Sequence, residues 1–250
     1  MNYNISVKKR GKHMIKEINS VYFIYDGKVE VDEINKNKIK DYWHKLQKET
    51  DLLHEGKILI VSNFINNQSD YKIELKEISF SHYMYAKENK TEDFRVMFSG
   101  TYILTSDEYV VCVLNNYYEN ELNFETLNLV GGMADAEDIV RGEYSSEKCL
   151  KREFKEELGF ELEDENYDIK LKYLKYPSDN ENTVRYPIGT IYVIRTIYTK
   201  EQIKKIFEKQ SHDNEVKNLV FFSKENYKDI YNYEHRKQYI AELLEKILGR

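Results

Sequence analysis

Proline is almost absent from this chain of 250 residues, which has 2, and glycine is scarce at 10. A chain so poor in the residues that punctuate linkers and turns consists of ordered elements rather than flexible or low-complexity tracts. Cysteine is as rare: Cys112 and Cys149 stand far apart in apolar contexts, without Cys-x-x-Cys spacing. This argues against a disulfide framework or a thiolate zinc site and fits a reducing cytoplasm. No stretch approaches the roughly 18 apolar residues that span a bilayer, so no membrane partner is expected. The start, MNYNISVKKRGKHMIKE, carries positive charge without an apolar run behind it and reads as no signal peptide. No glycine-rich loop ends in Lys-Ser or Lys-Thr, which argues against a P-loop kinase or GTPase. Glu234-His235 lacks the second histidine a zincin helix would need. Positive charge is not in excess either: 38 Lys and Arg against 44 Asp and Glu leave a net charge of -6. A protein that coats nucleic acid would usually be basic, so that partner is unexpected. A nucleotide substrate stays open, because a bound cation can supply positive charge locally.

What the chain has in quantity is aromatic residues, 22 Tyr and 11 Phe, enough for a substantial core. Residues 20–29 read as a hairpin turning at Asp26-Gly27. A helix is expected over about 32–53, with the stripe Ile39, Tyr42, Trp43, Leu46 and Leu53. Strands follow at 57–64 and 71–86. The polar run at 87–93 is the best candidate boundary, dividing a segment 1–93 from a domain 94–250. Beyond it, two strands are expected around Ser106-Asp107 within 97–116. Then come a strand at 127–132, a helix at 145–158 closed by Gly159, and strands at 167–176 and 187–198. A helix at 200–209, a strand at 215–223 and an amphipathic helix at 229–248 complete the pattern. The fold class is α/β, or α+β, with a mixed sheet. The N-terminal segment could shape a pocket, form a homodimer interface or bind a separate partner.

The helix at 145–158 holds the strongest signal. Arg152-Glu153-Phe154-Lys155-Glu156-Glu157-Leu158-Gly159-Phe160 sets three carboxylates on one turn, with Glu156 and Glu157 three and four positions after Glu153. At about 100° per residue these side chains share a face. Like charges so placed cost a helix a few tenths of a kcal/mol. An ordinary solvated face, with Lys151, Arg152 and Lys155 compensating, would explain this locally. A hard divalent cation that needs oxygen ligands would explain it chemically.

Segment 152–160 matches, at every defined position, the second half of the motif that defines the Nudix hydrolases. That motif is Gly, five residues, Glu, seven residues, then Arg-Glu-U-x-Glu-Glu-x-Gly-U, where U is bulky and apolar. Leu129-Val130-Gly131-Gly132 resembles the family's strand ending in a glycine pair, and Arg141-Gly142-Glu143 resembles its Pro-Gly-Glu. The first half departs from the family. Ten residues separate Gly132 from Glu143 and eight separate Glu143 from Arg152, while strict spacing would put Tyr144 in the place of the first glutamate. Loops tolerate added length cheaply, so an insertion between glycine and helix would absorb the difference.

The resemblance implies an α/β/α sandwich and metal-dependent hydrolysis of a phosphoanhydride in a nucleoside diphosphate linked to another moiety. Mg²⁺ or Mn²⁺ would be the cofactor and a small nucleotide the substrate. Glu153 and Glu157 would hold the metal, Glu156 would share or flank it, and Gly132 would let backbone approach closely. Arg152 would pair with a carboxylate near the loop, and Leu150 and Phe154 would face the core. Glu215 is the first choice for an outlying ligand or general base. In the loop 177–186, Glu181 could act as a mobile base and Arg185 could bind a phosphate. His212 and Asp213 are weaker candidates, and Tyr102, Tyr186 and Tyr192 could stack on a base. A module that binds a nucleotide without cleaving it, or an RNA 5′-end pyrophosphohydrolase, would use the same fold.

Overall fold

The computed structural model describes residues 13–49, 54–119, 122–162, 165–177, 187–210, 215–233 and 238–249. Strands β1 (His13–Glu17) and β2 (Ser20–Lys28) precede helix α1 (Glu33–Glu49). Strands β3 (Lys57–Asn67) and β4 (Asp70–Ser79) lead into α2 (Phe80–Asn89). Then come β5 (Arg95–Leu104), β6 (Val110–Glu119), β7 (Leu122–Asn128) and β8 (Val130–Met133). A 3₁₀ turn (Ala136–Asp138) and the short strands β9 (Ile139–Val140) and β10 (Glu143–Tyr144) bring the chain to α3 (Ser146–Leu158). The remainder is β11 (Tyr167–Pro177), β12 (Ile188–Thr196), α4 (Lys200–Lys209), β13 (Val216–Phe222), a second 3₁₀ stretch (Tyr227–Asn232) and α5 (Gln238–Leu248).

Most strands join one mixed sheet in the order β1-β11-β12-β5-β3-β4-β2, from which β6, β13, β7 and β8 branch. β12 runs parallel to β5, and β8 lies antiparallel on the same strand, setting Ser99 against Gly132 and Gly100 against Gly131. β3 meets β5 at Ile60–Val96 and Val61–Arg95, carrying the sheet across residues 87–93. Helices cover both faces, giving the expected layered architecture. On one face α5 packs Ile240, Leu243 and Leu244 against Tyr102, Tyr173 and Ile191. On the other, Leu150, Phe154 and Leu158 of α3 join Ile203 and Phe207 of α4 over Ile103, Val111 and Ile194. A third cluster gathers Tyr71, Ile73 and Leu75 of β4 with Met97, Leu174, Tyr144 and Cys149.

Three local expectations are corrected. Residues 20–28 form one strand, not a hairpin: Asp26-Gly27 is a bulge where the parallel pairing of β2 with β4 shifts register, and Gly27 takes φ +75°. The strand expected to run to residue 86 stops at Ser79, whose side chain accepts from the His82 amide and starts α2. The aromatic content of 80–85 suggested strand, yet these rings pack from a helix, with Phe80 edge-on to Trp43 of α1. The helix expected over 229–248 is a 3₁₀ stretch followed by α5, with 234–237 outside the described residues.

Helix α3 needs little from elsewhere to form. The Ser145 hydroxyl accepts from the Lys148 amide at 3.2 Å, Glu147 occupies the first turn, and Gly159 ends the helix with φ +76°. Leu150, Phe154 and Leu158, four residues apart, form a fully buried stripe. Phe154→Ala is therefore expected to lower the unfolding free energy by about 3–5 kcal/mol. Lys155→Ala, an exposed side chain one position on, should change it by less than about 0.5 kcal/mol. Urea denaturation of the two variants checks the orientation of α3, and equal effects would refute it.

Candidate active site

The glycine pair of β8 is required by close contacts. Gly131 has φ +138°, and a methyl there would run into the backbone of Ser99 and Gly100. A methyl on Gly132 would overlap the Glu153 carboxylate, so this carboxylate lies directly on the strand. One turn along α3, Glu157 is 3 % exposed and accepts the Gly131 amide at 2.8 Å. Glu156 is half exposed.

Arg152 organises this edge. Its Nε and Nη2 reach the two oxygens of Asp138 at 3.3 and 3.0 Å, a fork against a fully buried carboxylate. Nη2 also donates to the Met133 carbonyl at 3.0 Å. Nη1 donates to Glu153 at 2.7 Å and to Glu156 at 3.1 Å. Burial works against the guanidinium charge, but the Asp138 hydrogen bonds and the neighbouring carboxylates hold its pKa well above the usual arginine value. Asp138 in turn accepts the Asp135 amide, fixing the 3₁₀ turn that follows β8.

Asp138 was missed in the sequence, and it restores the first half of the motif. Five residues, 133–137, separate it from Gly132, the family spacing with Asp in place of Glu. Between Asp138 and Arg152 lie thirteen residues. Six of them, 139–144, form the β9–β10 hairpin, and the other seven, 145–151, give the family spacing. The hairpin turns at Arg141-Gly142, both with positive φ, and the Ser145 amide donates to the Asp138 carbonyl at 3.0 Å across its base. The extra length is therefore a closed insert placed directly after the acidic residue. Glu143, the sequence candidate for that position, is exposed on the hairpin. Tyr144, the alternative by strict spacing, is buried with its hydroxyl 3.0 Å from Ser99 Oγ and its ring edge-on to Phe23 of β2. The signal that could have found Asp138 was the Gly-x₅-acid count combined with reading Arg141-Gly142 as a two-residue hairpin turn.

No family model and no curated protein sequence matches the chain. Solved structures do, at low identity. A Deinococcus radiodurans protein is 16 % identical, covering 76 % of this chain and 98 % of its own, with TM-score 0.45. A Nudix hydrolase of Nitrosomonas europaea is 15 % identical over 60 % of this chain and 86 % of its own, with TM-score 0.38. The Nudix domain of a Shewanella oneidensis protein, complexed with ADP-ribose, is 13 % identical over 68 % and 98 %, with TM-score 0.42.

Whether these residues suit a divalent cation can be judged from the donor set. Burial, then the charge of Glu156, pushes the Glu153 carboxyl up to about 7 against the opposing pull of Arg152. A cation would relieve that cost, and the bare Gly132 leaves room for the carboxylate beside it. Among the described residues no three His, Cys, Asp or Glu side chains converge on one point. The reason is geometric: Arg152 Nη1 stands between Glu153 and Glu156, and Glu157 is turned onto the Gly131 amide. The chemistry fits a hard cation once the Glu153 and Glu156 carboxylates swing off the guanidinium.

The other sequence candidates divide three ways. Glu215 is exposed at the head of β13 and belongs to no group of three such ligands. Arg185, Glu181, His212, Asp213 and Tyr186 lie outside the described residues. Tyr102 and Tyr192 are buried, the latter with its hydroxyl 2.7 Å from Ser146 Oγ, so both are packing residues. Cys112 and Cys149 are free and buried, and burial pushes the Cys112 thiol up to about 12.

Two measurements check this geometry. Asp138→Asn removes the charge facing a buried guanidinium and should cost about 3–5 kcal/mol, whereas Glu143→Gln should cost less than about 0.5 kcal/mol. The reverse order would return the first acidic position to Glu143. The second concerns pH. Glu153 binds its proton more tightly folded than unfolded, so its contribution is fully present below the unfolded value near 4.5 and is lost as pH rises through about 7. With a chelator present, wild type should lose thermal stability relative to Glu153→Gln between about pH 5 and pH 8. Parallel Tm curves would show that Glu153 is not held in this way.

Proposed function

We propose that this chain is a divalent-cation-dependent hydrolase that cleaves the phosphoanhydride bond of a nucleoside diphosphate linked to another moiety. The observation that carries the reading is the reassembled motif. Gly132, Asp138, Arg152, Glu153, Glu156 and Glu157 stand in the family's spacing once the 139–144 hairpin is set aside, and the Asp138–Arg152 fork locks that arrangement in space. Glu153 and Glu157 are the proposed principal ligands of Mg²⁺ or Mn²⁺, with Glu156 beside them. When bound, the cation would neutralise phosphate charge and acidify water for attack on phosphorus. The chain's own contribution is placement. Arg152 keeps Glu153 and Glu156 at the strand end, from which they would turn to a cation, the Gly131 amide fixes Glu157, and the bare strand at Gly132 would admit the phosphates close to backbone. Glu215, Glu181 and Arg185 remain proposals for the general base and for a phosphate contact. Among the described residues no helix is long and apolar enough to cross a membrane.

Glu153→Gln and Glu157→Gln test the reading, because each keeps the shape while removing the charge. At position 157 the amide oxygen can still accept from Gly131. Each should lower kcat by about 10²-fold or more, with the folded circular dichroism spectrum retained. The assay is hydrolysis of ADP-ribose, sugar nucleotides and dinucleoside polyphosphates with Mg²⁺ or Mn²⁺. Full activity in both variants would remove these glutamates from the chemistry. Binding without turnover under every divalent cation would make the chain a nucleotide-sensing module instead.

A further inference from the structure

The N-terminal segment holds a cavity of ≈ 310 Å³, a volume in the range of small-ligand sites, and none of its lining residues belongs to the glutamate edge. The packing of α1 explains why space is left there. This helix meets α2 through large rings, Tyr42 edge-on to Tyr85 at 5.7 Å and Trp43 edge-on to Phe80 at 6.1 Å. Both contacts lie in the second half of α1. Before them only Ile39 is buried, while Ile34 is 69 % exposed. The first turns of the helix are therefore not packed down, and the cavity opens beside them.

Part of the lining is apolar. Ile39 and Trp43, both buried, share the cavity with Val29 and Val31, which follow β2. An indole among branched aliphatic side chains suits a flat apolar body. The polar lining comes from two helices. Ser79 caps α2 by accepting from the His82 amide at 3.2 Å, and its hydroxyl lies 2.9 Å from that of Ser81. The Ser81 amide, in the first turn of α2, donates to the Glu55 carboxylate at 3.1 Å. Glu55 also lines the cavity, so a carboxylate of the chain itself already occupies this helix N-terminus. From α1, Lys36 and Lys40 bring two ammonium groups one turn apart to the same cavity. Lys36 is also paired with Glu33 at 2.5 Å, but both side chains are exposed and such a pair is weak. Two lysines and a helix N-terminus against one carboxylate leave the lining suited to a further anion.

We infer that this cavity binds a small carboxylate with a flat apolar body, which displaces Glu55 from the first turn of α2. The body packs on Trp43 and Ile39, and the carboxylate accepts from the Ser81 amide beside Lys36 and Lys40. Carboxylate is the anion assigned because Glu55 shows that this group fits the turn. The site is independent of the hydrolase reading and gives the N-terminal segment a ligand of its own.

Trp43 is the single tryptophan of the chain, so its emission reports on the cavity directly. The full chain is titrated with phenylacetate and 3-phenylpropionate, with their neutral amides, with phenyl phosphate and with inorganic phosphate. Calorimetry runs in parallel. At least one acid should bind saturably with Kd below about 1 mM, and its amide at least about fivefold more weakly. The double variant K36M/K40M should weaken the acid by about fivefold or more, and E55Q, which removes the competing charge, should tighten it by about threefold. All three side chains are exposed, and circular dichroism checks that the variants fold. Should K36M/K40M fail to fold, the acid-to-amide ratio in wild type decides. Glu153→Gln should bind the acid as wild type does. No saturable binding of either acid, equal affinity for acid and amide, or unchanged affinity in folded K36M/K40M or E55Q would overturn the site. Loss of binding in Glu153→Gln would move the ligand to the glutamate edge and overturn it too. Tighter binding of phenyl phosphate than of phenylacetate would overturn the carboxylate assignment, and inorganic phosphate binding as well as the acids would overturn the apolar body.

Discussion

The fork between Arg152 and Asp138 is the contact on which the rest of the site depends. Asp138 has no solvent exposure and sits on a 3₁₀ turn, while Arg152 projects from the middle of α3. Neither charge is affordable alone in that setting, since an unpaired buried ion costs several kcal/mol. Together they fasten the loop after β8 to the helix. The same guanidinium then reaches the Met133 carbonyl, Glu153 and Glu156, so the strand end and two of the three glutamates are positioned by one side chain. Lysine could not substitute here, because a point charge lacks the planar fork that engages both oxygens of Asp138.

What could be read from the sequence, and what could not, follows from the range of the interactions involved. Helix α3 was legible because its determinants are local: a serine cap, an apolar stripe at four-residue spacing and a glycine stop. The Arg-Glu-x-x-Glu-Glu run was legible for the same reason. Asp138 was not, because the residues that restore its spacing are separated by an insert whose closure depends on one backbone bond, Ser145 to Asp138. Counting residues along the chain cannot reveal that two positions seven apart are adjacent in space. The misreading of 20–29 has a similar origin. Asp-Gly signals a positive φ, which a hairpin and a bulge both satisfy, and only the partner strand decides. At 80–89 the helix follows from a cap and from packing against Trp43, which outweighed the β propensity of its aromatic residues.

On the proposed reading, stability and function draw in opposite directions at the glutamate edge. Glu153 is nearly buried beside Glu156, and its raised pKa reports a carboxylate that the fold alone does not favour in charged form. Three features limit the cost: the Arg152 guanidinium, the Gly131 amide given to Glu157, and the absence of a side chain on Gly132. None removes it, and that residual cost is what a bound cation would relieve. Carboxylates left partly uncompensated are weak as structural elements and, on the proposed reading, would serve as ligands for a hard cation.

The six-residue hairpin makes this arrangement depend on the N-terminal half of the chain. A closed two-residue turn adds little loop entropy, so it can enter the motif without displacing α3. Its last residue is not neutral, however. Tyr144 is buried between Phe23 of β2 and Ser99 of β5, in the cluster that also contains Cys149 of α3 and the core residues of β4. The base of the insert is tied to Asp138, and its end is tied to the strands that precede residue 80. The N-terminal strands thus contact the insert at Tyr144, next to the residue whose amide is bonded to the Asp138 carbonyl, at a distance from the carboxylates themselves.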